Sequence, residues 1–273
     1  MLKEVALKNH KLEIIKIIKS GPVSEISICN FNDIKSIIRI DYPSANKIKV
    51  DRENEIFILE HLKFLKSTPE ILFSDLSNGI LVWRYIEGSE FLLKDSHKKN
   101  SIEILGKELN KIHSLDLPKN RRKYFRDSIN FYRKTLQEFS SNKIFARGFK
   151  LYDELYNSND LVFCHNDLNK TNLLWSNKLI LLDWEYSSFN SPYFDIASIS
   201  NTYNLSINER VIMLDSYNKK GKSLLFNNEI LEKWMIFGHY LDYIWAASLV
   251  IHGKIDPKDL NLQNLEKKLK NII

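Results

Sequence analysis

The sequence predicts an α+β fold in two unequal parts: a small antiparallel sheet with one helix, then a larger and mostly helical region. Three observations point there. β-Branched apolar runs crowd the first 85 residues, and helical periodicity dominates after Glu87-Gly88. A short apolar island rich in His, Asn and Asp interrupts the helices between residues 161 and 185. The chain of 273 residues is long enough for one two-lobed unit with a sizeable core.

Residues 11–19 (KLEIIKIIK) and 24–29 are apolar-rich strands divided by Gly21-Pro22, a turn signal. Asn32-Asp33 turns the chain into the β-branched run 34–40. Over 51–65 the period changes, and Ile56, Leu59, Leu62 and Phe64 suit one face of a helix that Asp51 can cap. Residues 70–73 and 79–85 read as two further strands joined by a turn at 75–79. Beyond Gly88, helices are expected over 98–114, about 125–140, about 145–157, 206–217, and 227–252 with a break. Within the island, 161–164 is a strand, while 173–175 and 179–182 form a hairpin around Ser176-Asn177. The lobes are therefore expected at 1–87 and 88–273.

Charged residues make up 27% and aromatics 12%, ordinary values that exclude wholesale disorder. A net charge of +6 admits nucleic acid, a membrane surface or an anionic ligand as partner. Two cysteines, Cys29 and Cys164, make neither a disulfide framework nor a zinc set, so a reduced, cytoplasmic setting is expected. The stretch 234–252 is the most apolar, yet it carries His239, Asp242 and His252, which are expensive in hydrocarbon. It reads as a buried helix, and residues 1–20 lack the apolar core of a cleavable signal. No membrane insertion is expected.

Two motifs are set aside. Residues 220–223 (KGKS) have the ending of a phosphate-binding loop, but Ser216 stands where that motif needs Gly and no strand precedes it. Lys119, Arg121, Arg122, Lys123 and Arg126 cluster without interleaved stacking aromatics, so a solvated surface is expected and nucleic acid is not. His113 and His239 show no metal spacing.

The island carries the chemistry. Cys164-His165-Asn166-Asp167, Asn172 and Asp183-Trp184-Glu185 form H-x-D-x4-N, an apolar hairpin, then D-x-E. Phosphoryl transfer needs such a set: one carboxylate to deprotonate the attacking hydroxyl, and hard oxygen donors to hold Mg²⁺ against phosphate oxygens. Zinc would want His or Cys instead.

The segments CHNDLNKTNLL and LLDWEYSSFNSPYFDIA resemble the bacterial choline/ethanolamine kinase-like branch of the aminoglycoside phosphotransferase and choline kinase superfamily. The resemblance implies a two-lobed protein-kinase-like fold and an ATP- and Mg²⁺-dependent kinase. Asp167 would be the catalytic base, Asn172 and Asp183 the metal ligands, and Glu185 would stand behind them. His165 and Asp195 would brace the loop. Residues 51–55 (DRENE) resemble the start of the family's lobe helix, making Glu55 the partner of Arg39 in SIIRI; arginine here, where protein kinases have lysine, is a feature of the branch. Tyr85-Ile86-Glu87-Gly88 resembles the hinge that binds adenine, and GKELNKIHS the helix below it. The nucleotide loop departs from the family pattern: it reads Ser20-Gly21-Pro22-Val23-Ser24, where Ser24 offers a hydroxyl but Pro22 no N–H.

For the acceptor, the resemblance implies a small cationic alcohol, choline or ethanolamine, with protein partners unassigned. Choline sites are expected to surround the ammonium with aromatic rings. Of the two tryptophans usual in the late helix only Trp245 is present, with Ser248 in the second place and Thr202 near the position of a usual acid. Asp242 lies one turn before Trp245, so both can face a cation, with Tyr186 and Tyr203 as further rings. Trp234, Tyr240 and Tyr243 also suit an ordinary core. Thiamine is the alternative acceptor, an aminoglycoside a less favoured one, and a catalytically silent binding protein on the same fold the alternative of another class.

Overall fold

The computed structural model describes residues 10–47, 50–219, 224–225 and 227–272. Its N-terminal part is an antiparallel sheet of β1 (Leu12–Ser20), β2 (Ser24–Phe31), β3 (Ile34–Asp41), β4 (Ile71–Asp75) and β5 (Ile80–Arg84), in the order β1-β2-β3-β5-β4. Asn32 and Asp33 both take positive φ, the two-residue turn whose twist matches paired strands. Period-two alternation sends Ile38 to a small core with Cys29, Phe31, Ile80 and Val82, and Arg39 to the opposite face. That face meets α2 (Arg52–Leu62), which follows the short α1 (Pro43–Lys47). Asp51 caps α2 as expected, accepting from the Asn54 N–H at 3.0 Å. The expected apolar face is corrected at its end. Ile58, Leu59 and Leu62 are buried, but Ile56 is only half-buried and Phe64 is 62% exposed, because the helix stops at Leu62 and tightens into a 3₁₀ turn.

The C-terminal part packs α3 (Lys98–His113), α4 (Phe125–Thr135), α5 (Lys143–Leu155), α6 (Pro192–Tyr203), α7 (Ile207–Tyr217), α8 (Asn228–Gly253) and α9 (Leu262–Ile272) around one large apolar core. Its short strands are β6 (Ser89–Glu90), β7 (Val162–Cys164), β8 (Leu173–Trp175), β9 (Leu179–Leu181) and β10 (Ser188–Asn190). β6, β8 and β9 form one sheet, β7 and β10 another. Two helices exceed the expectation. α6 begins at a Ser191 cap with Pro192 in its first turn, and it buries Asp195 and Ser200 along with its apolar residues. α9 places Leu262, Leu265 and Leu269 against the core. α8 runs unbroken where a break was expected. α3 and α7 approach so closely at Gly106 that an added Cβ would meet the Met213 carbonyl oxygen at 2.1 Å.

Among the described residues, no helix is long and apolar enough to cross a membrane. Much of the basic cluster is paired internally: Arg121 with Glu53, Arg122 with Asp116, and Lys123 with Asp51. Residues 220–223 lie outside the described residues.

Candidate active site

The loop after β7 is fixed before it does any chemistry. Buried Asp195 on α6 accepts from the backbone N–H groups of His165 and Asn166, both at 2.8 Å, and lies 3.2 Å from His113 Nε2. Burial works against the Asp195 charge, but the His113 bond and these donors hold its pKa below the ordinary range. His165 Nε2 donates to the Leu182 carbonyl at 3.0 Å while its Nδ1 accepts from the Asp167 N–H at 3.3 Å; burial depresses its pKa and keeps it neutral. Asn166 takes φ of +65° and donates to the Tyr186 and Ser188 carbonyls. It also accepts from Asn190. The loop is thus pinned to α6, to the end of β9 and to β10.

Asp167 is held by two amides: Asn169 Nδ2 donates to one carboxylate oxygen at 3.0 Å and Asn172 Nδ2 to the other at 2.8 Å. Burial pushes its carboxyl up to about 6; the amide donors oppose this and Glu185 adds to it. Asn172 is buried and also donates to the Asp167 carbonyl at 2.9 Å, so its amide oxygen, which accepts only a long 3.4 Å bond from the Thr171 hydroxyl, is the atom it can offer a cation. Asp183 takes φ of +64°, a conformation Asp tolerates better than most residues and one that clusters at functional sites. Burial, together with Glu185, Glu55 and Asp167, raises its pKa well above the ordinary value. Its ion pair among the described residues is with Arg39 Nη1, at 4.0 Å. Three hard-oxygen acids converging on one partly compensated spot suit a divalent cation such as Mg²⁺.

Arg39 and Glu55 form the expected pair, buried and two-pronged: Nη1 and Nη2 donate to the two Glu55 oxygens at 2.8 and 2.6 Å. Burial alone would raise the Glu55 pKa, but Arg39 and Arg52 hold it below the ordinary range. Arg52 is the residue that sequence reasoning missed. Its Nε and Nη2 grip both oxygens of Asp41 at 2.7 and 2.8 Å, and its Nη1 reaches Glu55 at 3.0 Å and Glu185. One guanidinium therefore ties β3, α2 and the D-x-E loop together, and Glu185 faces Arg52 as well as the acids. Arg52→Lys keeps the charge but loses the planar fork. We expect it to lower kcat roughly 10- to 100-fold through misplaced acids, read by steady-state ADP release.

A cavity of about 500 Å³ joins these groups to the helices. Ser24, Arg39, Asp167, Asp183, Glu185, Tyr186, Asp242 and Trp245 all line it. Trp245 Nε1 donates to the Tyr186 hydroxyl at 3.0 Å, fixing both rings. Loss of solvation pushes the Asp242 carboxyl up to about 6, opposed by Lys268. Ser248 is buried and bonds back to the Ile244 carbonyl at 2.8 Å, so it does not replace a ring. Thr202 tethers α6 to the Leu168 carbonyl, and the Tyr203 hydroxyl is engaged with Phe91. Tyr240 and Tyr243 are core residues, Trp234 is both core and cavity wall, and Tyr132 is a ring that was not foreseen. Tyr85 and Ile86 lie on the connection after β5 and do not line this cavity; the Tyr85 N–H donates to Lys35, whose ammonium covers its ring at 4.0 Å.

Fold and site together define a small-molecule phosphotransferase. The family model for choline/ethanolamine kinase matches residues 15–244, and the chain belongs to that family, whose members are phosphotransferases acting on an alcohol group. Protein LicA of Haemophilus influenzae is 29% identical over 247 residues, covering 83% of this chain and 90% of the relative. The crystal structure of choline kinase LicA from Streptococcus pneumoniae has a similar fold, with TM-score 0.70 and 20% identity over 94% of this chain and 95% of that one. A crystal structure of LicA in complex with AMP is similar too, with TM-score 0.71 and 21% identity, covering 96% and 93%.

Proposed function

We propose that the protein transfers the γ-phosphate of ATP to the hydroxyl of choline or ethanolamine. The observation that carries this reading is a single cavity lined by Asp167, Asp183 and Arg39 together with Asp242, Trp245 and Tyr186. Residues 1–87 serve the nucleotide, with Arg39 on phosphate oxygens, Ser24 beneath them, and Tyr85 and Ile86 at the adenine edge. Residues 88–273 supply the acids and the acceptor pocket. Asn172 and Asp183 would hold Mg²⁺, which when bound neutralises charge on the phosphates. Asp167, aimed by Asn169 and Asn172, takes the proton of the acceptor hydroxyl as its oxygen attacks phosphorus. Asp242 faces the ammonium, with the Trp245 and Tyr186 rings beside it. Two buried, free cysteines suit a cytoplasmic enzyme.

ADP release measured with choline, ethanolamine, thiamine and an aminoglycoside tests the reading. Turnover is expected with choline or ethanolamine. Turnover with thiamine alone would overturn the acceptor assignment, and turnover with none would favour a binding protein.

A pH profile follows from the two raised carboxyls. A raised pKa means protonation at higher pH, so function is lost as pH falls through about 6. Both acids titrate in the unliganded enzyme, whereas Asp242 is engaged once acceptor is bound. Log kcat/KM for the acceptor should therefore fall with a slope approaching about two below that pH, and log kcat with about one.

A further inference from the structure

The cavity also holds a cation, felt by Asp242, that phosphoryl transfer does not use. Lys268 on α9 lines the same cavity as Asp242 and His239 on α8. Its position is set by packing, since Leu265 lies against the core and the adjacent Leu269 is fully buried. Elsewhere on α9 a lysine pairs along the helix, as Lys270 does with Glu266 at 2.7 Å. Among the described residues, Lys268 and Asp242 each make no hydrogen bond and no ion pair, although they share one cavity.

We propose that Lys268 is a specificity-determining residue, a cation sharing the cavity with Asp242 whose field a cationic acceptor must enter against. This rests on the reading of the pocket as a site for a cationic alcohol. The fields agree with it: Lys268 acts against the upward shift of Asp242, and the neighbouring His239 is driven down to about 4, first by burial and then by Lys268, so it adds no charge at neutral pH. An entering ammonium therefore meets one carboxylate and one like charge. A primary ammonium gains a short charge-assisted bond to Asp242 that the more distant Lys268 does not make. A quaternary ammonium has no N–H to donate. Its attraction to Asp242 acts at longer range, and repulsion from Lys268 offsets much of it. Lys268 thus disfavours a quaternary acceptor more than a primary one.

The test compares Lys268→Gln and Lys268→Arg with the parent at pH 8, where Asp242 is ionised. KM is measured for choline and ethanolamine, and competition constants for 3,3-dimethylbutan-1-ol, the uncharged isostere of choline. In Lys268→Gln the KM for choline should fall about 3- to 10-fold, and that for ethanolamine by less. The isostere constant should not move, and Lys268→Arg should behave as the parent. Because the side chain is exposed, thermal midpoints should agree within about 1 °C. An unchanged KM for choline, or a parallel shift for the isostere, would overturn the proposal while leaving the kinase reading intact. A parent enzyme that turns over neither amine alcohol would overturn both.

Discussion

Asp167→Ala is expected to lower kcat by roughly 10²- to 10⁴-fold, the range for a lost general base, with KM for ATP within about threefold. In the proposed reading this carboxylate accepts the hydroxyl proton; nearby His165 is neutral and has both ring nitrogens engaged. Removing it leaves the loop in place: Asp195 and Asn166 hold the backbone without help from the Asp167 side chain. Arg39 and Glu55 do not touch Asp167, so the nucleotide end is preserved. Asp167→Asn keeps the shape but cannot take a proton, and it should be as inactive. Steady-state ADP release reads both variants. Turnover equal to the parent in either would remove Asp167 from the chemistry.

Glu55→Gln should produce the largest loss of stability. Glu55 is 2% exposed and accepts from buried Arg39 and partly buried Arg52. Neutralising it leaves both guanidiniums short of their shared partner, and a broken buried ion pair costs about 3–5 kcal/mol. For a chain of this size that lowers the thermal midpoint by roughly 6 °C or more. Activity should fall as well, because Arg39 keeps at most one of the two bonds that orient it. The pH dependence has a definite sign. A carboxylate with a depressed pKa contributes stability above its unfolded value of about 4.3 and loses it as pH falls through the folded value. The gap between parent and variant should be full at pH 7 and close in acid. Calorimetry at both pH values checks it; a difference under about 1 kcal/mol at pH 7 would contradict a stabilising pair.

What was legible in the sequence was local. The sheet strands could be read from β-branched runs, and the α2 cap from Asp51 set before a change of period. The candidate site could be proposed because Asp167, Asn172 and Asp183 fall within 17 residues of sequence. Arg52 could not be placed, since its partner Glu185 is 133 residues away, although its spacing of three from Glu55 was a visible signal. α6 escaped because it buries polar as well as apolar residues, which erases a one-sided pattern. α9 carried a readable Leu262, Leu265 and Leu269 spacing, and Lys268 came with it unnoticed. Burial of Phe64 was misjudged because nothing in the sequence marked Leu62 as the last residue of the helix.

The most direct measurement is ³¹P NMR of the enzyme incubated with ATP, Mg²⁺ and either choline or ethanolamine. A phosphomonoester signal should grow in step with ADP, one for each ATP consumed, and should be absent with Asp167→Ala. Inorganic phosphate rising with ADP and no phosphomonoester would contradict transfer to an alcohol.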